Sequence, residues 1–259
     1  MLGACSGDTP KLEAAGAGLG GAPPSTTTEA LSPEEVAASA PVAPFNPFGD
    51  PSAKIAGGRE VIANPTKADI LAPASSLPEM SFGNPDAPVT LVQYGSLTCP
   101  YCKRFHELVY PILKRDYIDT GKVRYILREF PIGRTSGQAS IAWRCAAPDK
   151  FLELYGRFLA DQSEWVSMEV RHDAIAAVAA KSGLTRAAYD ACREDKALVE
   201  NLKQIKDRGR KLGIIGTPNF YLDDKLIKKA LTAEELREAL DAALSQRTAA
   251  APAPATPAQ

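Results

Sequence analysis

Apolar positions along the chain change their period just after residue 95. Val89-Thr90-Leu91-Val92-Gln93-Tyr94 is a short, mostly apolar run rich in β-branched residues, broken by Gly95 and Ser96, and it predicts a buried strand. From Cys99 onward Phe105, Leu108, Val109, Ile112 and Leu113 recur at helical spacing. They predict a helix to about Asp119, bent near Pro111, which cannot donate a backbone hydrogen bond, and stopped at Thr120-Gly121. Lys122–Phe130 alternates at first and is bounded by Pro131, so it predicts a second strand. Two strands joined by one helix form a right-handed βαβ unit and should be parallel. Ahead of them, Met80–Gly83 and Asn84–Pro88 read as a short edge segment and a turn.

A long helical section follows, with helical periodicity over Gln138–Ala146, Asp149–Ala160, His172–Lys181, Arg186–Glu194 and Ala197–Leu212. Gly183 and Thr185 supply a stop and a cap between two of these. The pattern then returns to β: Asn219–Leu222 and Lys225–Ile227 flank Asp223-Asp224, a hairpin signal. Thr232 caps a last helix whose first turn carries Glu234 and Glu235 and whose buried stripe is Leu236, Leu240 and Leu244. The order is β-α-β, a helical block, then β-β-α. This predicts an α/β fold with a central mixed sheet and a helical insertion at about residues 136–213.

Composition limits the folded part. Residues 1–75 consist mostly of Ala, Pro, Gly, Ser and Thr, and they read as a disordered tether, apart from a short helix near Ser32–Ala40. Residues 247–259 read as a disordered Ala/Pro tail, which leaves one domain over 76–246. The net charge of −1 and the lack of a basic stripe interleaved with aromatics exclude nucleic acid as the expected partner. Lys206-Asp207-Arg208-Gly209-Arg210-Lys211 reads as a solvated helix face, the alternative being a rim that steers acidic partners.

The candidate chemistry lies in the cysteines. Cys99-Pro100-Tyr101-Cys102 sits at the predicted strand-to-helix turn, where unpaired backbone N–H groups and the helix dipole favour an anion. A thiolate at Cys99 is that anion, and this setting makes a cysteine reactive. Cys145 and Cys192 sit in separate helical patterns. Cys5 is the odd one of five. Leu2-Gly3-Ala4-Cys5 resembles a bacterial lipoprotein cleavage box, read either as a lipidation site behind a missing or truncated signal peptide or as a chance match.

Four features together resemble the DsbA-type thiol–disulfide oxidoreductases of the thioredoxin superfamily: Asn84-Pro85-Asp86-Ala87-Pro88-Val89-Thr90, the Cys99-Pro100-Tyr101-Cys102 motif, the helical insert, and Thr217-Pro218-Asn219-Phe220 opening the third strand. The resemblance covers nearly all of Met80–Leu244. It implies a thioredoxin fold and disulfide exchange in which Cys99 is nucleophile and leaving group and Cys102 the resolving thiol, with Pro100 and Tyr101 tuning the site. It also implies a cis Thr217–Pro218 bond beside Cys99, with the Thr217 backbone offered to an extended substrate. Taken alone, an ordinary trans X-Pro is the expectation there.

Two positions depart from the family pattern. Tyr101 stands where many relatives carry His, and Gln93 where this fold often keeps a buried carboxylate. Glu129 is read as a surface or ion-paired acid, with substitution for that carboxylate as the alternative. His106 is read as a half-buried helix residue; a zinc site on Cys99, Cys102 and His106 lacks a fourth ligand, so neither metal nor cofactor is expected. Cys145 and Cys192 are expected to form a bridge across the insert, the alternative being two unrelated buried thiols. Such a bridge would contribute about 4 kcal/mol in the chain-entropy model and implies an oxidising compartment such as the periplasm. The expected partners are reduced or misoxidised exported proteins, a membrane redox partner and, through Cys5, a lipid anchor. Reduction or isomerisation on the same site is the second reading, and a non-catalytic binding or metal-handling module the third.

Overall fold

Five strands form one mixed sheet in the computed structural model of the protein, which describes residues 61–250. The strands are β1 (Ser81–Phe82), β2 (Val89–Gly95), β3 (Val123–Glu129), β4 (Asn219–Leu222) and β5 (Lys225–Ile227), in spatial order β1-β3-β2-β4-β5. β2 and β3 are parallel, from Val89 opposite Val123 to Gly95 opposite Glu129, and the other neighbours are antiparallel. The expected β-α-β, helical block, β-β-α order is present. Helix α1 (Lys67–Leu71) precedes the sheet, and α2 (Pro100–Leu108) and α3 (Tyr110–Leu113) link β2 to β3. The insert contains α4 (Gly133–Arg144), α5 (Phe151–Ala160), α6 (Gln162–Trp165), α7 (His172–Ala180), α8 (Arg186–Glu194) and α9 (Lys196–Lys211), and α10 (Ala233–Ala250) closes the fold.

The near-continuous apolar character of β2 follows from burial on both faces, since successive side chains point to opposite sides of a sheet. Val89 and Leu91 enter the larger core with Phe105, Tyr155, Trp143, Leu236 and Leu240. Val92 and Tyr94 enter a second cluster with Ile70, Ile126, Phe130, Leu212 and Tyr221. Gln93 shares the parity of Leu91, so it faces the larger core, on the side of α2 and the insert. Against the opposite face α9 packs closely enough to require glycine at 209: a Cβ there would lie 2.9 Å from Tyr94 and 3.1 Å from Phe130.

The predicted long helix after Cys99 is divided. Pro111 has no N–H to give the preceding turn, α2 ends at Leu108, and after α3 the chain takes a wider turn over Lys114–Ile118 with Asp119 N–H bonded to the Lys114 carbonyl at 2.8 Å.

The expected domain edges are corrected at both ends. Residues 61–75, assigned to the tether, carry defined structure. Thr66 and Asp69 form a reciprocal capping box for α1, Ile70 is fully buried, and Ile62 N–H bonds the Lys211 carbonyl at 2.8 Å. Buried Arg128 holds this segment, donating to the Ile70 carbonyl at 2.7 Å and pairing with Glu79 at 2.6 Å. At the other end α10 runs past Gln246 to Ala250, with Arg247 bonded to Asp223 at 2.9 Å. Cys5, the helix expected near Ser32–Ala40, and residues 251–259 lie outside the described residues.

Candidate active site at the start of helix α2

β2 delivers the chain to a four-residue turn, Ser96–Cys99, and Pro100 then opens α2 at the position where a missing N–H is tolerated. Cys99 is the cap of this helix, with φ −80° and ψ 120°, and its side chain is left unused in capping. The insert holds the turn from two directions. Ser96 Oγ lies 2.8 Å from Ser136 Oγ of α4 and accepts the Ile132 N–H at 3.2 Å. Gln162 Nε2 of α6 donates to the Leu97 carbonyl at 2.8 Å and the Cys99 carbonyl at 3.1 Å.

Cys99 and Cys102 are both thiols, and both are buried, Cys102 fully. Their environments push their ionisation apart. Cys99 is held down to about 6, first by hydrogen bonding from the Cys102 thiol, then from the Thr217 side chain, then from the N–H groups of Cys102 and Tyr101, with burial acting against them. Burial, and then the charge and hydrogen bond of Cys99, push Cys102 well above the ordinary thiol range. The electrostatics expected at the helix start are therefore present, but the neighbouring S–H outranks the backbone dipoles.

Thr217–Pro218 is cis, and Cys99 Sγ donates to the Thr217 carbonyl at 3.1 Å. Three of the segments that meet here also carry exposed apolar side chains: Tyr101 on α2, Ile132 before α4, and Ile215 before Thr217.

Beneath the cysteines the larger core contains a closed polar group. Tyr125 OH donates to Gln93 Oε1 at 2.7 Å, and Gln93 Nε2 donates to Tyr155 OH at 3.4 Å. Burial pushes both phenols well above their ordinary range, so they stay neutral. Glu129 is ion-paired but not at the surface: it is buried and grips Arg144 through both oxygens, and Arg144 also bonds the Pro78 carbonyl at 2.7 Å. His106 stacks on Tyr110 at 4.9 Å and meets Tyr155 edge-on at 5.3 Å. Only a glycine at 156 leaves it room, since a Cβ there would sit 2.7 Å from His106 Nε2. Burial lowers His106 to about 4, which keeps it neutral. Among the described residues no group of three or more His, Cys, Asp and Glu side chains could hold a metal ion.

Cys145 and Cys192 form a disulfide joining the end of α4 to α8, with their Cα atoms 6.4 Å apart. Among the described residues no helix is long and apolar enough to cross a membrane. The site residues absent from the sequence reading are Ser96, Ser136, Tyr155 and Gln162. No spacing signal connects Gln162 to a turn more than 60 positions earlier, and a contact map alone would reveal it.

The sequence pattern of the thioredoxin family matches residues 75–242. A putative protein-disulfide oxidoreductase of Rickettsia typhi is 28% identical over 172 residues, 66% of this chain and 63% of that protein. The disulfide bond formation protein D of Bacillus subtilis is 29% identical over 171 residues, 61% of this chain and 74% of that protein. The chain thus spans less than two thirds of the length of the Rickettsia relative. Among solved structures, the α-DsbA1 protein of Wolbachia pipientis is 26% identical with a TM-score of 0.62, covering 71% of this chain and 98% of that one.

Proposed function

The chain belongs to the thioredoxin family, and from that premise we propose that it is a thiol–disulfide oxidoreductase that forms disulfide bonds in exported proteins through Cys99 and Cys102. The observation that carries this reading is the divergence of two neighbouring thiols, one lowered to about 6 and the other raised. In the disulfide form of the site, a substrate thiolate attacks Cys99 Sγ, the Cys99–Cys102 bond breaks, and Cys102 leaves and takes up a proton. A second substrate thiolate then attacks the substrate sulfur of the mixed disulfide and expels Cys99 as a thiolate. Two electrons pass from the substrate dithiol to the protein, which ends as the dithiol.

Because Cys99 leaves as a stabilised anion, the second step is favoured and the disulfide is oxidising. The Thr217 backbone and the exposed Tyr101, Ile132 and Ile215 suit an extended, partly apolar polypeptide, which is what an unfolded exported protein presents. The Cys145–Cys192 disulfide fits an oxidising compartment such as the periplasm. There the dithiol requires reoxidation by a membrane redox partner, and acylation at Cys5 would tether the domain to the membrane through residues 1–60.

The deciding experiment mixes the oxidised protein with a reduced, unfolded dithiol substrate and follows substrate disulfides, with Cys99→Ser as control. Stoichiometric transfer that vanishes in the control is expected. Transfer that survives Cys99→Ser, or a Cys99–Cys102 potential in the range of structural disulfides, below about −300 mV, would refute the reading. Intact mass of the native protein tests acylation at Cys5.

A further inference from the structure

We propose that Gln162, supplied by the helical insert, is a positioning residue for Cys99: its side-chain amide grips the carbonyls of Leu97 and Cys99 and fixes the turn that aims the Cys99 sulfur at the start of α2. This role rests on the redox reading above.

The two hydrogen bonds, 2.8 Å to Leu97 and 3.1 Å to Cys99, use both N–H groups of one amide nitrogen. The Cys99 carbonyl also accepts the first bond of α2, from Lys103 N–H at 3.1 Å. Its plane is therefore held by two donors, one from the insert and one from α2. That plane sets ψ of Cys99 and hence the path of the backbone into Pro100, Tyr101 and Cys102. Because Pro100 has no N–H, the donors that reach the sulfur come from Tyr101 and Cys102, further along the helix. A small rotation at Cys99 would turn its sulfur away from all of them at once.

The amide is itself anchored. Trp165, three residues on, is fully buried, and its Nε1 donates to the Phe158 carbonyl at 2.8 Å. Asp161 pairs with Lys181 at 2.8 Å, and Lys103 Nζ reaches the Ala160 carbonyl at 2.8 Å. α2 and the α5–α6 corner are thereby clasped at two points, one of them the reactive turn. A glutamine suits this role for a chemical reason: it offers two donors to two carbonyls, whereas a glutamate of the same shape offers none when ionised.

The test uses the full chain with Gln162→Met, which keeps length and packing but removes the donors, and Gln162→Glu, which keeps shape and replaces the donors with negative charge. Cys99 ionisation is read from thiolate absorbance near 240 nm, and the Cys99–Cys102 potential by equilibration with glutathione. We expect the ionisation constant of Cys99 to fall about tenfold in Gln162→Met and at least as far in Gln162→Glu. A tenfold fall starting from about 6 weakens the disulfide as an oxidant about fivefold at pH 7, or about 20 mV at roughly 30 mV per tenfold. A loss of melting temperature with Cys99 ionisation unchanged would overturn the role and leave Gln162 merely structural. In the unaltered dithiol protein the Gln162 side-chain N–H protons should exchange slowly by nuclear magnetic resonance; rapid exchange would equally overturn it. An unaltered protein with an ordinary Cys99 thiol and no exchange activity would instead bring down the redox reading itself, a distinguishable result.

Discussion

Replacing Cys102 with alanine separates the two sources of thiolate stabilisation at Cys99. The strongest influence lowering Cys99 is the hydrogen bond from the Cys102 thiol, ahead of Thr217 and of the N–H groups of Cys102 and Tyr101. A hydrogen bond to a charged group is worth roughly 1.5–3 kcal/mol, and 1.36 kcal/mol corresponds to one pKa unit. Cys102→Ala should therefore move Cys99 from about 6 to about 7–8. Cys102→Ser retains an O–H donor and should stay close to the parent. The assay is a full absorbance titration of the thiolate in each variant. Alkylation at a single pH would mislead: near pH 7 the higher pKa reduces the thiolate fraction several-fold, while intrinsic nucleophilicity rises with a Brønsted slope of about 0.4–0.5 and nearly cancels the loss. If Cys102→Ala still titrates near 6, backbone dipoles suffice and the ranking of causes is wrong.

Three further outcomes follow from the same geometry. The lowered Cys99 should stabilise the folded dithiol form fully above the unfolded thiol range, near pH 8.5–9, by at most about 4 kcal/mol, and this should fade as pH falls through about 6. Urea melts of the dithiol and disulfide forms at pH 5, 7 and 9 check it, and a difference independent of pH contradicts it. Glu129→Gln strands the buried Arg144 and should cost about 3–5 kcal/mol, with Glu129→Gln/Arg144→Met recovering most of it; a double-mutant cycle by thermal melting decides. Gln93→Glu places a titratable group among Tyr125, Tyr155 and Cys102. It should speed attack of Cys102 on a mixed disulfide at Cys99, measured by stopped-flow release of a glutathione adduct, and an unchanged rate argues against it.

The sequence was most legible where physics is local. β2, the parallel β3, the Asp223-Asp224 hairpin and the Thr232 cap each depend on a period or a turn residue within a few positions, and each lies where the pattern puts it. α1 was also legible in principle, since Thr66 and Asp69 are a capping box, but the surrounding small and proline-rich residues concealed it. What stayed illegible depends on long-range contact. Nothing near Gln162 points to the turn at Cys99, nothing near Glu129 points to Arg144, and the ranking of the Cys102 thiol over the helix start requires the mutual orientation of two side chains. The CxxC spacing brings Cys99 and Cys102 together and the family resemblance sets Thr217 beside them, while the Ser136 and Gln162 contacts that orient the turn come from the insert.

The asymmetry of the buried face bears on the direction of electron flow. Reduction of a substrate requires Cys102 to lose its proton and attack the mixed disulfide formed at Cys99. Oxidation requires only the substrate's second thiolate, whose proton is lost to solvent. Burial holds the Cys102 thiol protonated, and the polar group below it, Tyr125, Gln93 and Tyr155, has no member that ionises near neutral pH. Glu129, the buried acid, has both oxygens committed to the Nε and Nη2 groups of Arg144. Within this buried group of the described residues, then, none is placed to take the Cys102 proton near neutral pH, and a mixed disulfide at Cys99 is expected to persist until a substrate thiolate reaches it. Under the proposed exchange Cys99 is also the better leaving group, so the expectation is that the oxidative branch outruns the reductive one, and comparing the rates of disulfide transfer and of disulfide reduction on one substrate tests it.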